Sequence, residues 1–187
     1  MHLARRAWCR TYQTVFRIAL PILPYTEPRI LEHAEDVPAV LQKRSIQKVL
    51  IVTDPGIARL GLTASLERAL TAQGIGVTVY AETRANPTVS NVEEAASLYR
   101  ESACQAIIGF GGGSAMDCAK GVGARIAQPN KPINKMRGLL RVHRLLPLLI
   151  AVPTTAGTGS EVTLAAVITD DETHYKYPIN DFVLIPR

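Results

Sequence analysis

Ala106-Ile107-Ile108-Gly109-Phe110-Gly111-Gly112-Gly113-Ser114, followed by Ala115-Met116-Asp117-Cys118-Ala119-Lys120, is the stretch that decides the fold. Its apolar, uncharged start predicts a strand buried on both faces. The glycine run then lets the backbone turn tightly and approach a ligand with no Cβ in the way. Ser114 opens a helical pattern with Asp117 three residues on, a Ser-x-x-Asp variant of the capping box, which places Ser114 at the N-cap. Strand, glycine turn and helix N-terminus gather free N–H groups and the positive end of the helix dipole at one point, a site for an anion such as a pyrophosphate. The plainer alternative is that the glycines serve only a tight connection.

The common dinucleotide fingerprint fits in part. Gly109-x-Gly111-x-x-Ser114 carries serine where the third glycine or alanine belongs. The acidic residue expected about 20 positions later is absent, since Gln128-Pro129-Asn130-Lys131 fills that region. The partner of a ribose must therefore come from elsewhere in the chain.

Working outward, Lys48-Val49-Leu50-Ile51-Val52-Thr53 is an uninterrupted β-branched run and predicts a buried strand. Asp54-Pro55-Gly56 closes it, with Asp54 as N-cap and Pro55 at the first position of a helix. That helix is expected to run to about Gln73 and stop at Gly74. A short helix from Glu35 to Arg44 precedes the strand. Val77-Thr78-Val79-Tyr80 is the next strand, Ala85-Asn86-Pro87-Thr88 a turn, and 89–102 an amphipathic helix. After a helix over 114–127, residues 128–147 form a loop rich in Pro, Lys and Arg. Leu148-Leu149-Ile150-Ala151-Val152 is another buried strand. It leads into Pro153-Thr154-Thr155-Ala156-Gly157-Thr158-Gly159-Ser160-Glu161, whose hydroxyls suit phosphate and ribose contacts or else satisfy the loop's own amides. Val162–Thr169 and Tyr175–Ile179 flank Asp170-Asp171 as an antiparallel hairpin. The alternation of strands and helices predicts an α/β fold, a Rossmann-like parallel sheet with helices on both faces, plus the hairpin.

The totals narrow the classes. A chain of 187 residues suffices for one substantial core. The net charge of +5 does not make a nucleic-acid binder, since five of the 21 basic residues precede residue 30 and aromatics are only 5%. Cys9, Cys104 and Cys118 are odd in number and lack a CxxC pattern, as expected of reduced thiols in the cytoplasm, with two of them in the core. No apolar run reaches the ~18 residues of a membrane span. Residues 1–26 lack acids and carry Arg5, Arg6, Arg10 and Arg17. Leu3, Ala7, Tyr12, Val15, Phe16 and Ala19 can form one apolar face of a packing helix. The alternative is a mitochondrial transit segment, although the stretch has no serine. Pro21, Pro24 and Pro28 then make an extended connector. The expected division is 1–27, basic helix and connector, and 28–187, a dinucleotide-binding domain. His143 and His174 read as solvated loop and turn residues.

Gly111 to Lys120 taken together with Pro153 to Thr163, and supported by Val167-Ile168-Thr169-Asp170 and Val52-Thr53-Asp54, resembles the iron-containing alcohol dehydrogenases over roughly residues 28–187. The resemblance implies an NAD(P)-dependent oxidoreductase that oxidises an alcohol or reduces an aldehyde or ketone, with small alcohols or aldehydes as substrates and dimers or higher oligomers as assemblies. It implies that Asp54 contacts the adenosine ribose and that Asn86 lies along the cofactor. Gly111, Gly112, Gly113, Ser114 and Asp117 would hold the pyrophosphate. Thr154, Thr155 and Thr158 would line the phosphate and adenine side, with Val167 and Lys176 reaching in from the hairpin. NAD is expected over NADP, because a carboxylate at Asp54 accepts ribose hydroxyls and repels a 2′-phosphate. The family's Fe²⁺ or Zn²⁺ is held by one aspartate and three histidines of an all-helical C-terminal domain, whose pattern falls beyond Arg187. His2, His33, His143 and His174 match none of those positions. A non-catalytic nucleotide-binding module and a polyol or sugar-phosphate dehydrogenase are the alternatives.

Overall fold

The computed structural model describes residues 3–19 and 26–187. Its elements in chain order are α1 (Leu3–Ala19), α2 (Val37–Gln42), β1 (Lys48–Val52), α3 (Pro55–Arg59), α4 (Ala64–Ala72), β2 (Gly76–Tyr80), α5 (Val89–Glu101), β3 (Ala106–Gly111) and α6 (Gly113–Ala127). They continue with β4 (Gly138–Leu139), β5 (Leu148–Pro153), β6 (Ala165–Thr169) and β7 (Lys176–Asn180). Four strands form one parallel sheet in the order β2-β1-β3-β5. The expected α/β class and the parallel sheet are present.

Strand alternation sorts the apolar residues onto two faces. Leu50, Val52, Ile107 and Leu149 point to one core with Val92, Ala96, Ala119 and Val122 of α5 and α6. Val49, Ile51, Ile108, Phe110 and Ile150 point to the other, against Val37 and Leu41 of α2 and Leu66 and Leu70 of α4. β3 lies between β1 and β5, and every one of its residues is buried. That double burial is why its sequence shows no polar alternation.

The C-terminal hairpin is larger than expected. β6 and β7 pair antiparallel, and β4 joins β7 in parallel to give a second sheet in the order β4-β7-β6. The expected loop over 128–147 thus holds β4 and a 3₁₀ turn at Ile133–Met136, whose Ile133 and Met136 are fully buried. Its Pro and basic residues masked these short apolar anchors. The expected single helix over 55–73 is also divided. Gly61, at φ +64, ends α3 in a Schellman motif, with the Gly61 N–H donating to the Ala58 carbonyl and the Leu62 N–H to the Ile57 carbonyl. Gly74 ends α4 in the same way, as the sequence indicated, with the Ile75 N–H donating to the Leu70 carbonyl.

The packing face expected of α1 is not borne out at Val15, which is 59% exposed, with Trp8 and Ile18 exposed as well. A 3.6-residue period marks an apolar stripe without supplying a surface to cover it. The side chains of Leu3, Ala7, Tyr12, Phe16 and Ala19, and the residues Pro21 and Pro24, lie outside the described set. Among the described residues no helix is long and apolar enough to cross a membrane. Cys104 and Cys118 are buried free thiols and Cys9 is exposed.

α6 is the most confined element. It packs on β3 and β5 of the first sheet, on β6 of the second and on α5. Residues 118–124 are buried without a break. Small residues make this possible: a Cβ on Gly121 would stand 2.8 Å from Val92 Cγ2 and 3.3 Å from Ile168 Cδ1. Both neighbours are branched and packed, so neither can swing aside cheaply. Gly121→Val is expected to destabilise the fold by about 2–3 kcal/mol through overpacking. The midpoint of urea unfolding measures it, and an unchanged midpoint would mean that α5 and β6 yield freely.

Candidate functional site

β1 is flanked by β2 on one side and β3 on the other, so the chain leaves the carboxyl ends of β1 and β3 in opposite directions. Open α/β sheets bind ligands in the crevice at such a point. Here that crevice has a volume of about 940 Å³. Asp54 to Ile57 enter it after β1, Glu82 to Ala85 after β2, Gly112 to Ala115 after β3, and Thr154 and Thr155 after β5. Residues 100 positions apart in sequence thus meet through sheet topology alone.

The glycine turn is built differently from the capping box that the sequence suggested. Gly111 adopts φ +145, a conformation that side-chain-bearing residues rarely take. Gly112 occupies the N-cap and α6 begins at Gly113, with no side-chain cap. The Met116 N–H donates to the Gly112 carbonyl and closes the first turn, which leaves the earlier N–H groups directed to the crevice end of the helix. Ser114 is therefore in the first turn and not at the N-cap. Its Oγ instead accepts the Asn86 N–H at 3.2 Å, and Asn86 sits in the left-handed region at φ +60. Asp117 does not reach back to the helix start. It accepts from the Ser160 hydroxyl at 3.1 Å and from the Val167 N–H at 3.0 Å. The glycine turn put the N-cap at Gly112, two residues ahead of Ser114, so the Ser-x-x-Asp spacing no longer spans the helix start.

The space above Gly112 and Gly113 belongs to the threonine loop. A Cβ on Gly112 would stand 3.3 Å from Thr155 Oγ1, and one on Gly113 would stand 3.4 Å from Thr158 and Ser160. The Thr154 N–H donates to the Gly111 carbonyl at 2.9 Å. These two glycines admit another part of the same chain. Gly111 lets the ends of β1 and β3 approach, since its Cβ would lie 3.3 Å from Asp54 Oδ2 and 3.0 Å from the Ala115 Cβ.

Asp54 divides its oxygens. Oδ1 accepts the N–H groups of Gly56 at 2.8 Å and Ile57 at 3.0 Å, capping α3 as expected. Oδ2 faces Gly111. A carboxylate oxygen, an uncapped helix N-terminus and a glycine between them fit a ligand with ribose hydroxyls and a pyrophosphate. Of the expected cofactor residues, Asp54, Gly112, Gly113, Ser114, Thr154 and Thr155 line this crevice, while Gly111, Asn86, Asp117, Thr158, Val167 and Lys176 do not. Val167 is tied to Asp117 through its backbone, and Lys176 is exposed at the start of β7. Arg59, one turn along α3 from Asp54, lines it, as do Glu82 and Arg84, which the sequence did not single out. The rule that singled out Asp54, a position just past the carboxyl end of a parallel strand, would have found Glu82 and Arg84 after β2.

Three ionisable groups on α6 are shifted by burial, the Cys118 thiol being pushed up to about 12 by desolvation. Desolvation raises the Asp117 carboxyl, against the pull of the Val167 N–H, the Lys120 charge and the Ser160 hydroxyl. Desolvation pushes Lys120 down to about 8, although Asp117 and Glu161 favour its charged form. Holding that ammonium at neutral pH therefore costs folding free energy. Among the described residues no three of His, Cys, Asp and Glu lie close enough to hold a metal ion. The residues present fit a dinucleotide and do not fit a metal, and His143 and His174 are both exposed.

Known proteins place this geometry in context. Residues 30–187 match the iron-containing alcohol dehydrogenase family. Alcohol dehydrogenase 4 of Schizosaccharomyces pombe is 38% identical over 146 residues, 78% of this chain and 34% of that protein. Choline dehydrogenase of Bacillus subtilis is 38% identical over 134 residues, 71% of this chain and 33% of that protein. The alcohol dehydrogenase of Oenococcus oeni superposes with a TM-score of 0.81 at 34% identity, covering 88% of this chain and 44% of that one. Sulfoacetaldehyde reductase of Bifidobacterium kashiwanohense, solved in complex with NAD⁺, superposes with a TM-score of 0.74 at 28% identity, over the same shares. The chain thus spans about a third of the length of these curated relatives and under half of the solved structures. With the family matched across both the glycine turn and the threonine loop, the chain belongs to the iron-containing alcohol dehydrogenases.

Proposed function

We propose that these residues form the NAD(P)-binding portion of an iron-type alcohol dehydrogenase, an oxidoreductase that interconverts alcohols with aldehydes or ketones. The observation that carries this reading is the crevice where the uncapped start of α6 faces Asp54 Oδ2 across Gly111. When bound, the nicotinamide cofactor accepts or gives the hydride. This chain's part is to bind and orient it. First-turn N–H groups of α6 would take the pyrophosphate, with Gly112, Gly113 and Ser114 forming that turn. Thr154, Thr155 and Thr158 would border it, and Asn86 would flank it beside Ser114. Asp54 Oδ2 would accept the adenosine ribose hydroxyls. Asp117 and Val167 would act on this site only through the bond between them, and Lys176, exposed on β7 outside the crevice, takes no part in the reading. Small alcohols or aldehydes as substrates and assembly into dimers or higher oligomers belong to the same proposal. So does a cytoplasmic setting, in keeping with the buried free thiols of Cys104 and Cys118.

Isothermal titration of NAD⁺ into the chain tests the reading, and saturable one-to-one binding is the expected result. Absence of binding at millimolar NAD⁺ would overturn it. NAD is expected to bind more tightly than NADP, by about 1 kcal/mol, because Arg59 and Arg84 at the rim and solvent screening offset part of the repulsion from Asp54. Asp54→Asn keeps a good N-cap and removes the charge. That variant should bring the two affinities together, while an unchanged ratio would leave Asp54 as a helix cap only.

The 187-residue chain should not turn over short alcohols with NAD⁺, even with Fe²⁺ or Zn²⁺ added, because its described residues offer no metal ligand set. Formation of NADH, followed by its absorbance, would contradict this.

A further inference from the structure

Lys120 is only 1% exposed, the least exposed charged side chain among the described residues. It stands three residues after Asp117 on α6, so both leave the helix on the same side. Its Nζ donates to the Thr163 carbonyl at 2.7 Å, the Ala165 carbonyl at 2.9 Å and the Thr163 hydroxyl at 3.2 Å. Three acceptors meet the three N–H groups of an ammonium. Two lie on Thr163, between the threonine loop and β6, and the third on Ala165, the first residue of β6. Asp117 holds the chain on either side of them, at Ser160 and Val167.

The loop between these anchors and β5 has no regular structure of its own, and Gly157 and Gly159 take φ +91 and +66 within it. Its position therefore depends on what holds its ends. At the β5 end the anchor is the Thr154 N–H on Gly111. At the β6 end it is α6. Filling the space beneath the loop would need only an apolar side chain, and a buried ammonium is a costly way to fill it. What the ammonium adds is three directed bonds.

We propose that Lys120 is a positioning residue, whose three hydrogen bonds fix the threonine loop over the glycine turn and so set how tightly the crevice holds a pyrophosphate. This rests on the reading of the crevice as a dinucleotide site. The charged groups that face Lys120 are Asp117 from its own helix and Glu161 from the loop, while β6 presents the Ala165 carbonyl. Below its pKa of about 8 the ammonium supplies all three donors. As pH rises through that value it keeps two N–H groups for three acceptors, and the hold on the loop slackens.

The test is titration of ADP into the full chain and into K120M, from about pH 7 to about pH 9.5, with folding of each checked by circular dichroism. Methionine is close in length and shape to the lysine stem, and brings neither charge nor donor. The parent is expected to lose ADP affinity severalfold across that range. K120M is expected to bind about tenfold more weakly at the lower pH, the loss of hydrogen bonds to a charged group, and to show no slope. A K120M chain that binds ADP as tightly as the parent, or a parent with no slope, would overturn the role of Lys120 and leave the dinucleotide site standing. Should K120M fail to fold, the slope of the parent alone decides. A parent that binds neither ADP nor NAD⁺ would overturn the dinucleotide reading and this inference with it.

Discussion

The confinement of α6 is the constraint on which the rest of this structure depends. A helix on the outside of a sheet needs one apolar stripe and leaves its other faces to water. α6 has the parallel sheet on one side, β6 of the second sheet on another and α5 on a third. Its middle therefore has no solvent face, and Ala119, Gly121, Gly123 and Ala124 keep it narrow enough to fit. Glycine in a helix interior costs about 1 kcal/mol relative to alanine, a cost set against close packing with Val92, Ile168 and Leu146. The same confinement fixes the direction of the helix axis, which brings its N-terminus to the carboxyl ends of β1 and β3.

Polar groups on such a helix cannot be left to solvent. Asp117 and Lys120 must find partners inside the protein, because an unpaired buried charge is far more costly than a paired one. Both find them on the segment between Ser160 and Val167, so the helix, the threonine loop and the second sheet form one hydrogen-bonded unit. Asp54 shows the same economy at the surface, with one oxygen capping α3 and the other facing the glycine turn. At the crevice itself, one Asp54 oxygen thus holds the start of α3 while the other is left beside the glycine turn.

Much of the architecture was legible because its signals are local. The β-branched run at Lys48–Val52, the apolar run at Leu148–Pro153, the uncharged Ala106–Gly111 and the stop at Gly74 each act within a few residues. The break at Gly61 was of the same kind and was overlooked because apolar residues continue on both sides of it. Misplacing Ser114 came from a different source. A capping box is a competition between side chains and backbone for the first N–H groups, and Gly111 to Gly113 moved the helix start ahead of the serine.

By itself the sequence determined the parallel α/β class, the glycine turn feeding a helix, and the presence of Asp54 and the threonines just past strand ends. These follow from propensity, periodicity and chain order, which need no partner from far away. Tertiary structure alone decided that Gly112 and Gly113 make room for Thr155, Thr158 and Ser160, that Asp117 and Lys120 turn toward the loop, and that Glu82 and Arg84 share a crevice with Asp54. Each of these is a contact across tens of residues. The reason is steric and electrostatic: which atoms fill the space over a glycine, or satisfy a buried charge, is fixed only when separate elements have packed.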